Sequence, residues 1–101
     1  MPARLLDPVH PGEVLAEDFL KPMALSHGEL AKGLNVPSRR IHEILHSKRA
    51  IDAEMALRLG RYFGTTARFW LNLQAGYDLD VEQDRLKDRI ESEVRAFPPS
   101  H

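Results

Sequence analysis

The chain has 101 residues, enough for one domain with a modest core of its own. It contains no cysteine, which excludes disulfides and thiolate metal sites and makes a cytoplasmic location the expectation. A net charge of −1 selects no partner by itself, no apolar run approaches a membrane span, and no signal-peptide pattern opens the chain.

Alternating runs of β-branched residues are absent, whereas helix signals are frequent and closely punctuated, so the expected fold is all-α. Pro11-Gly12 opens a first helix with Val14, Leu15, Phe19 and Leu20 on one face, and Pro22 stops it. Ser26 stands three residues before Glu29, the spacing of a capping box, ahead of Leu30, Ala31 and Leu34 in a second helix. Asn35, which tolerates a left-handed backbone, ends it. Pro37 suits the opening turn of a third helix, which runs from Arg39 to Lys48. Asp52 caps a fourth, with Met55, Ala56, Leu59, Tyr62 and Phe63 turned inward and Gly64 at its end. Thr65 or Thr66 caps a fifth, containing Phe69, Trp70, Leu73 and Tyr77. Beyond residue 80, Leu86, Ile90, Val94 and Phe97 recur at near-helical spacing in a charged stretch. They predict a sixth, amphipathic helix too sparse in apolar residues to stand without packing on this core or on another chain. Pro98-Pro99-Ser100-His101 is expected to fray.

Charge is unevenly spread. From Ser26 to Arg68 eight basic residues face four acidic ones, a net +4, whereas from Asp78 to Arg95 seven acids face four bases, a net −3. A basic centre with an acidic tail suggests an anionic partner for the centre, although ordinary surface patchiness produces the same pattern.

Residues 42 to 46 spell HEILH, a match to the H-E-x-x-H of zinc hydrolases. Such a site needs a third protein ligand, a cleft wall and acceptors behind the imidazoles. Downstream only His101 offers another imidazole, and Glu54, the nearest separate carboxylate, lies beyond a helix cap. On a helical wheel Ile41, Ile44, Leu45 and the stem of Lys48 share one side, while Arg39, Glu43 and His46 lie opposite, with His42 beside them and Arg40 on a flank.

A helix from Ser26 to Leu34, a tight turn at Asn35-Val36 and a second helix make the spacing of a helix-turn-helix, locked by Leu30, Ala31, Leu34, Val36, Ile41 and Ile44. Its second helix would present Ser38, Arg39, Arg40, His42, Glu43 and His46 to the major groove. Arginine pairs with guanine O6 and N7, and glutamate accepts from cytosine N4. Lys48 and Arg49 are placed for phosphate contacts. The bland counterpart is a helix pair whose Arg39 and Glu43 form a solvated ion pair and which never meets DNA.

The stretch His10 to Leu79 resembles the HigA family of antitoxins in the phage-repressor-like helix-turn-helix superfamily, a family also described as virulence-associated protein I. The resemblance rests on HPGE, LAKGLNVPSRRIHEIL, SKRAI and FWLNLQAGYDL, in that order. It implies a five-helix DNA-binding domain over residues 1–79, with the helix-turn-helix at about 26–46, and a C-terminal helical extension and tail over 80–101. It further implies a homodimer that represses its own operon at a palindromic operator and binds and neutralises a HigB-type mRNA endonuclease, with no metal and no cofactor. Carried onto this chain, His27 joins the DNA-contacting set at the start of the second helix. Near His42, His46 and Ser47 the sequence departs from the asparagine and glycine common in the family, which leaves the operator sequence open. Phe69, Trp70, Leu73, Tyr77, Leu86 and Ile90 are candidates for the two-fold contact, the first four also for simple core packing. Leu86, Ile90 and Val94 could equally engage the toxin. A stand-alone regulator without a toxin, and more remotely a zinc hydrolase, are the alternatives.

Overall fold

The computed structural model describes residues 8–98; the expected fraying at Pro99, Ser100 and His101 lies outside them. The described residues form helices and no strand: α1 (Pro11–Val14), a π-helical segment (Leu15–Leu20), α2 (His27–Leu34), α3 (Ser38–Leu45), α4 (Ala53–Phe63) and α5 (Ala67–Glu93). The expected first helix is thus wound in two ways. The wider π turns leave Lys21 N–H bonded to the Ala16 carbonyl and put both Leu15 and Leu20 inside.

Every helix except the short α1 contributes to one hydrophobic core. Leu15 and Leu20, Leu30, Ala31 and Leu34, Ile41 and Ile44, Met55, Ala56 and Leu59, and Trp70 are buried together with Ile51 from the α3–α4 connection. Phe19, Phe63, Phe69 and Trp70 add a cluster of tilted and edge-on rings at one end of it, with centroids 4.8 to 6.2 Å apart. Asp52 accepts the Met55 N–H at the start of α4, and Gly64, at φ 76°, ends it. Both threonines before α5 are used: Thr66 accepts the Phe69 N–H at 3.0 Å, and Thr65 accepts the Trp70 indole N–H at 2.8 Å. Tyr62, expected inside, is 41% exposed and lies over the α2 backbone at Gly33 instead.

The fifth and sixth predicted helices are one rod of 27 residues, roughly 40 Å long. No cap or proline separates them, and Gln74–Asp78, Glu82–Arg85 and Arg89–Glu93 pairs support the helix through the charged stretch. Residues 79 and 80, the expected division between domain and extension, lie within this helix. Beyond Gln74 nothing on it is buried, and Leu79, Ile90 and Val94 are exposed.

Candidate nucleic-acid interface

The α2–α3 unit is built by local chemistry. At its start Ser26 Oγ accepts the Glu29 N–H at 3.1 Å while the Glu29 carboxylate accepts the Ser26 N–H at 2.9 Å, which completes the capping box and holds the Glu29 carboxyl below its usual range. Asn35 ends α2 in the left-handed region (φ 59°), with its N–H on the Lys32 carbonyl and the Val36 N–H on that of Ala31. Three residues later α3 begins with Pro37 ahead of it and no side-chain cap, so its first-turn N–H groups and the positive end of its dipole are not spent on a capping side chain. α3 is shorter than expected, because Ser47, also at φ 59°, repeats the turn of Asn35: Ser47 N–H bonds to the Ile44 carbonyl and Lys48 N–H to that of Glu43. Lys48 is therefore outside the helix, and its stem is not part of the buried face.

Four of the nine expected DNA-contacting residues share one groove. His27, Ser38, Arg39 and His42 are exposed and line one open groove with Gly28, where the starts of α2 and α3 meet. His46, Lys48 and Arg49 are exposed at the far end of α3. Two residues depart from the expectation. Arg40 has a side chain only 21% exposed, turned toward Glu54 of α4 at 3.7 Å, with its Nε buried and unbonded. Lying between two helices, it has little surface left for a base. Glu43 is half-buried, and its carboxylate is held below the usual range, chiefly by the Arg49 guanidinium and secondarily by Arg39.

The HEILH segment adopts a different geometry from a hydrolase helix. The His42 and His46 rings stack at 4.0 Å, tilted by 34°. His46 sits at the helix end, where its Nδ1–H donates to the His42 carbonyl at 2.9 Å. The intervening Glu43 carboxylate is taken by two arginines. Among the described residues, no group of three or more His, Cys, Asp or Glu side chains is gathered as a metal site would require.

This arrangement recurs in known proteins. No protein-family model matches the chain. Virulence-associated protein I of Dichelobacter nodosus is 55% identical over 78 residues, 76% of this chain and 72% of that protein. An addiction module antidote protein of the HigA family from Coxiella burnetii superposes with a TM-score of 0.87 at 43% identity, covering 91% of this chain and all of that one. The chain belongs to the HigA antitoxin family. The Pseudomonas aeruginosa antitoxin HigA, solved with the higBA promoter, superposes equally well (TM-score 0.87) at 41% identity, over 90% of this chain and 99% of its own.

In this HigA-family chain, the frame that holds α3 includes residues that the sequence did not single out for that role. Gln74, buried on α5, accepts the Ile51 N–H at 2.8 Å and donates to Asp78 at 2.8 Å, tying the segment after α3 to the long helix. The available signal was its position on the inward face, one turn after Trp70. His10 caps α1 by accepting the Gly12 N–H at 2.9 Å and meets Tyr77 edge-on at 4.8 Å. Burial lowers its pKa below the usual value, against the opposing pull of Asp78 and Glu13. Gly12 brings the α1 backbone against the Ile44 carbonyl of α3, in space that a side chain would fill.

Of the residues expected at a two-fold contact, Trp70 is wholly buried in its own chain and has no surface for a second copy. Phe69 and Ile90 are exposed, and Leu73, Tyr77 and Leu86 are half-buried. Among the described residues no helix is long and apolar enough to cross a membrane.

Proposed function

We propose that this chain is the antitoxin of a type II toxin–antitoxin pair. In this reading it is a cytoplasmic, non-enzymatic DNA-binding dimer that represses its own operon and neutralises a HigB-type mRNA endonuclease by binding it. The observation that carries the DNA half is the groove between two helix starts, lined by His27, Ser38, Arg39 and His42 beside an α3 with no capping side chain. The promoter-bound relative from Pseudomonas aeruginosa supports the same assignment. Arg39 and His42 face bases, the uncapped α3 N-terminus and His27 face phosphates, and Lys48 and Arg49 grip the backbone at the other end of the helix. A dimer places two α3 helices about 34 Å apart, one turn of the duplex, so the operator is palindromic. Residues up to 79 form the DNA-binding unit. The exposed acidic and apolar half of α5 beyond it serves chain–chain contacts, through Leu86 and Ile90 together with Phe69, Leu73 and Tyr77.

The test is binding at fixed salt to DNA from upstream of the gene and to random duplex. Arg39→Ala should weaken operator binding by about 1–3 kcal/mol and leave random binding nearly unchanged. Equal affinity of the unaltered protein for both DNAs would dismiss the repressor half. For the antitoxin half, co-expression with the product of the adjacent reading frame should relieve its toxicity; failure to form a complex with it would dismiss that half.

A further inference from the structure

Glu43 lies on the outward face of α3, where a glutamate would be expected to accept from a base, yet both its oxygens are engaged. Oε1 accepts the Arg49 Nε–H at 2.8 Å, and Oε2 accepts the Arg39 Nε–H at 3.4 Å. Its backbone carbonyl also accepts the Lys48 N–H at 2.7 Å, the bond that closes the left-handed turn at Ser47. One residue therefore holds, by main chain and side chain, the segment carrying Lys48 and Arg49. Both arginines reach Glu43 through Nε alone, which leaves their terminal Nη donors for other partners.

A bare carboxylate in this position would face the phosphate field of a duplex at a cost, and neutralisation by two guanidinium groups removes that cost. An arginine on an irregular segment loses much side-chain freedom when it grips a phosphate. Tethering it beforehand removes part of that loss, and the planar guanidinium still presents its outer edge. We infer that Glu43 is a positioning residue, bracing Arg49 for a phosphate and Arg39 for a base, and does not itself read the sequence. The inference rests on α3 being the DNA-reading helix.

A double-mutant cycle tests it: the unaltered protein, Glu43→Gln, Arg49→Ala and the double variant, each measured on operator and random duplex across a salt series. Removing a negative charge near DNA favours binding in either background, so the informative quantity is the difference between backgrounds. With Arg49 present, Glu43→Gln should weaken binding; without it, the same change should be neutral or favourable, a coupling of about three-fold or more. Arg49→Ala should also lower the salt slope by about 1. Glu43→Asp, which keeps the charge but shortens the reach, should lose affinity as Glu43→Gln does. The brace is overturned if Glu43→Gln tightens binding equally in both backgrounds, if it erases preference at a single base pair whether or not Arg49 is present, or if Glu43→Asp binds normally. If the unaltered protein shows no preference for the operator, the DNA assignment fails and this inference with it.

Discussion

Replacing Gly12 with alanine tests how closely α1 is seated on the DNA-reading helix. An added Cβ would lie 2.8 Å from the Ile44 carbonyl carbon and 3.1 Å from Leu45 Cα, with the Ile44 carbonyl oxygen closer still. Carbon atoms in contact prefer about 3.5–4.0 Å, so the two backbones must separate by roughly 0.7 Å or more. The obstacle is main chain in the body of the fold and has no rotamer to change. Overpacking of a buried site costs about 1–3 kcal/mol, and a backbone obstacle places this case at the upper end. Alanine's better helix propensity recovers at most about 1 kcal/mol. The net loss is about 2 kcal/mol, or a fall in Tm of roughly 8–16 °C for a domain of this size. Thermal unfolding followed by circular dichroism measures it directly. A Tm within a degree or two of the unaltered protein would refute the close approach of α1 to α3 and the reasoning built on it.

Gln74→Leu leaves the Ile51 N–H buried without its acceptor and should cost about 1–3 kcal/mol in urea unfolding; an unchanged midpoint would show that this bond does not hold the α3–α4 connection. Ser47→Gly should stabilise by about 0.5–1 kcal/mol, since a left-handed backbone disfavours any residue with a Cβ by more than glycine's extra chain entropy; a lower midpoint would argue against that conformation. His10 has a folded-state pKa below its ordinary 6.5, so as pH falls through about 6.5 the unfolded chain takes up a proton that the folded one resists. Its contribution to stability is therefore complete above that pH and declines below it. His10→Asn keeps a side-chain acceptor for the Gly12 N–H but removes the titration. The drop in stability between pH 7.5 and 5.5, about one unit either side of the histidine value, should be smaller in this variant, and an equal drop in both proteins would clear His10.

The parts legible in the sequence were those governed by short-range chemistry. Ser26 and Glu29 form their capping box, Asn35 turns the chain left-handed, Asp52 and Thr66 cap their helices, and Gly64 ends α4. Each depends on atoms within four residues, so residue type and spacing suffice. Where several local options competed, the sequence was less decisive. Serine has no strong preference for the left-handed turn that Ser47 adopts, so residue spacing alone carries α3 on to Lys48, past its end at Leu45. The apolar pattern of α5 thins out after Tyr77, so from the sequence it reads as two helices. Helix continuity, however, requires only the absence of a break and a supply of i,i+3 and i,i+4 partners.

The outward face of α3 could be listed from periodicity, and His27, Ser38, Arg39 and His42 do share a groove. Periodicity could not show that Arg40 leans on Glu54, or that Glu43 is occupied by an arginine six residues away beyond the helix end. Nor could it place Trp70 wholly inside, or hang the α3–α4 connection on Gln74. By itself, the sequence determined an all-α chain with a helix-turn-helix, because caps, turns and apolar spacing are local quantities. Which of its polar side chains remain free to meet a partner was decided only when distant segments met, because an ion pair or a buried amide depends on what lies opposite in space.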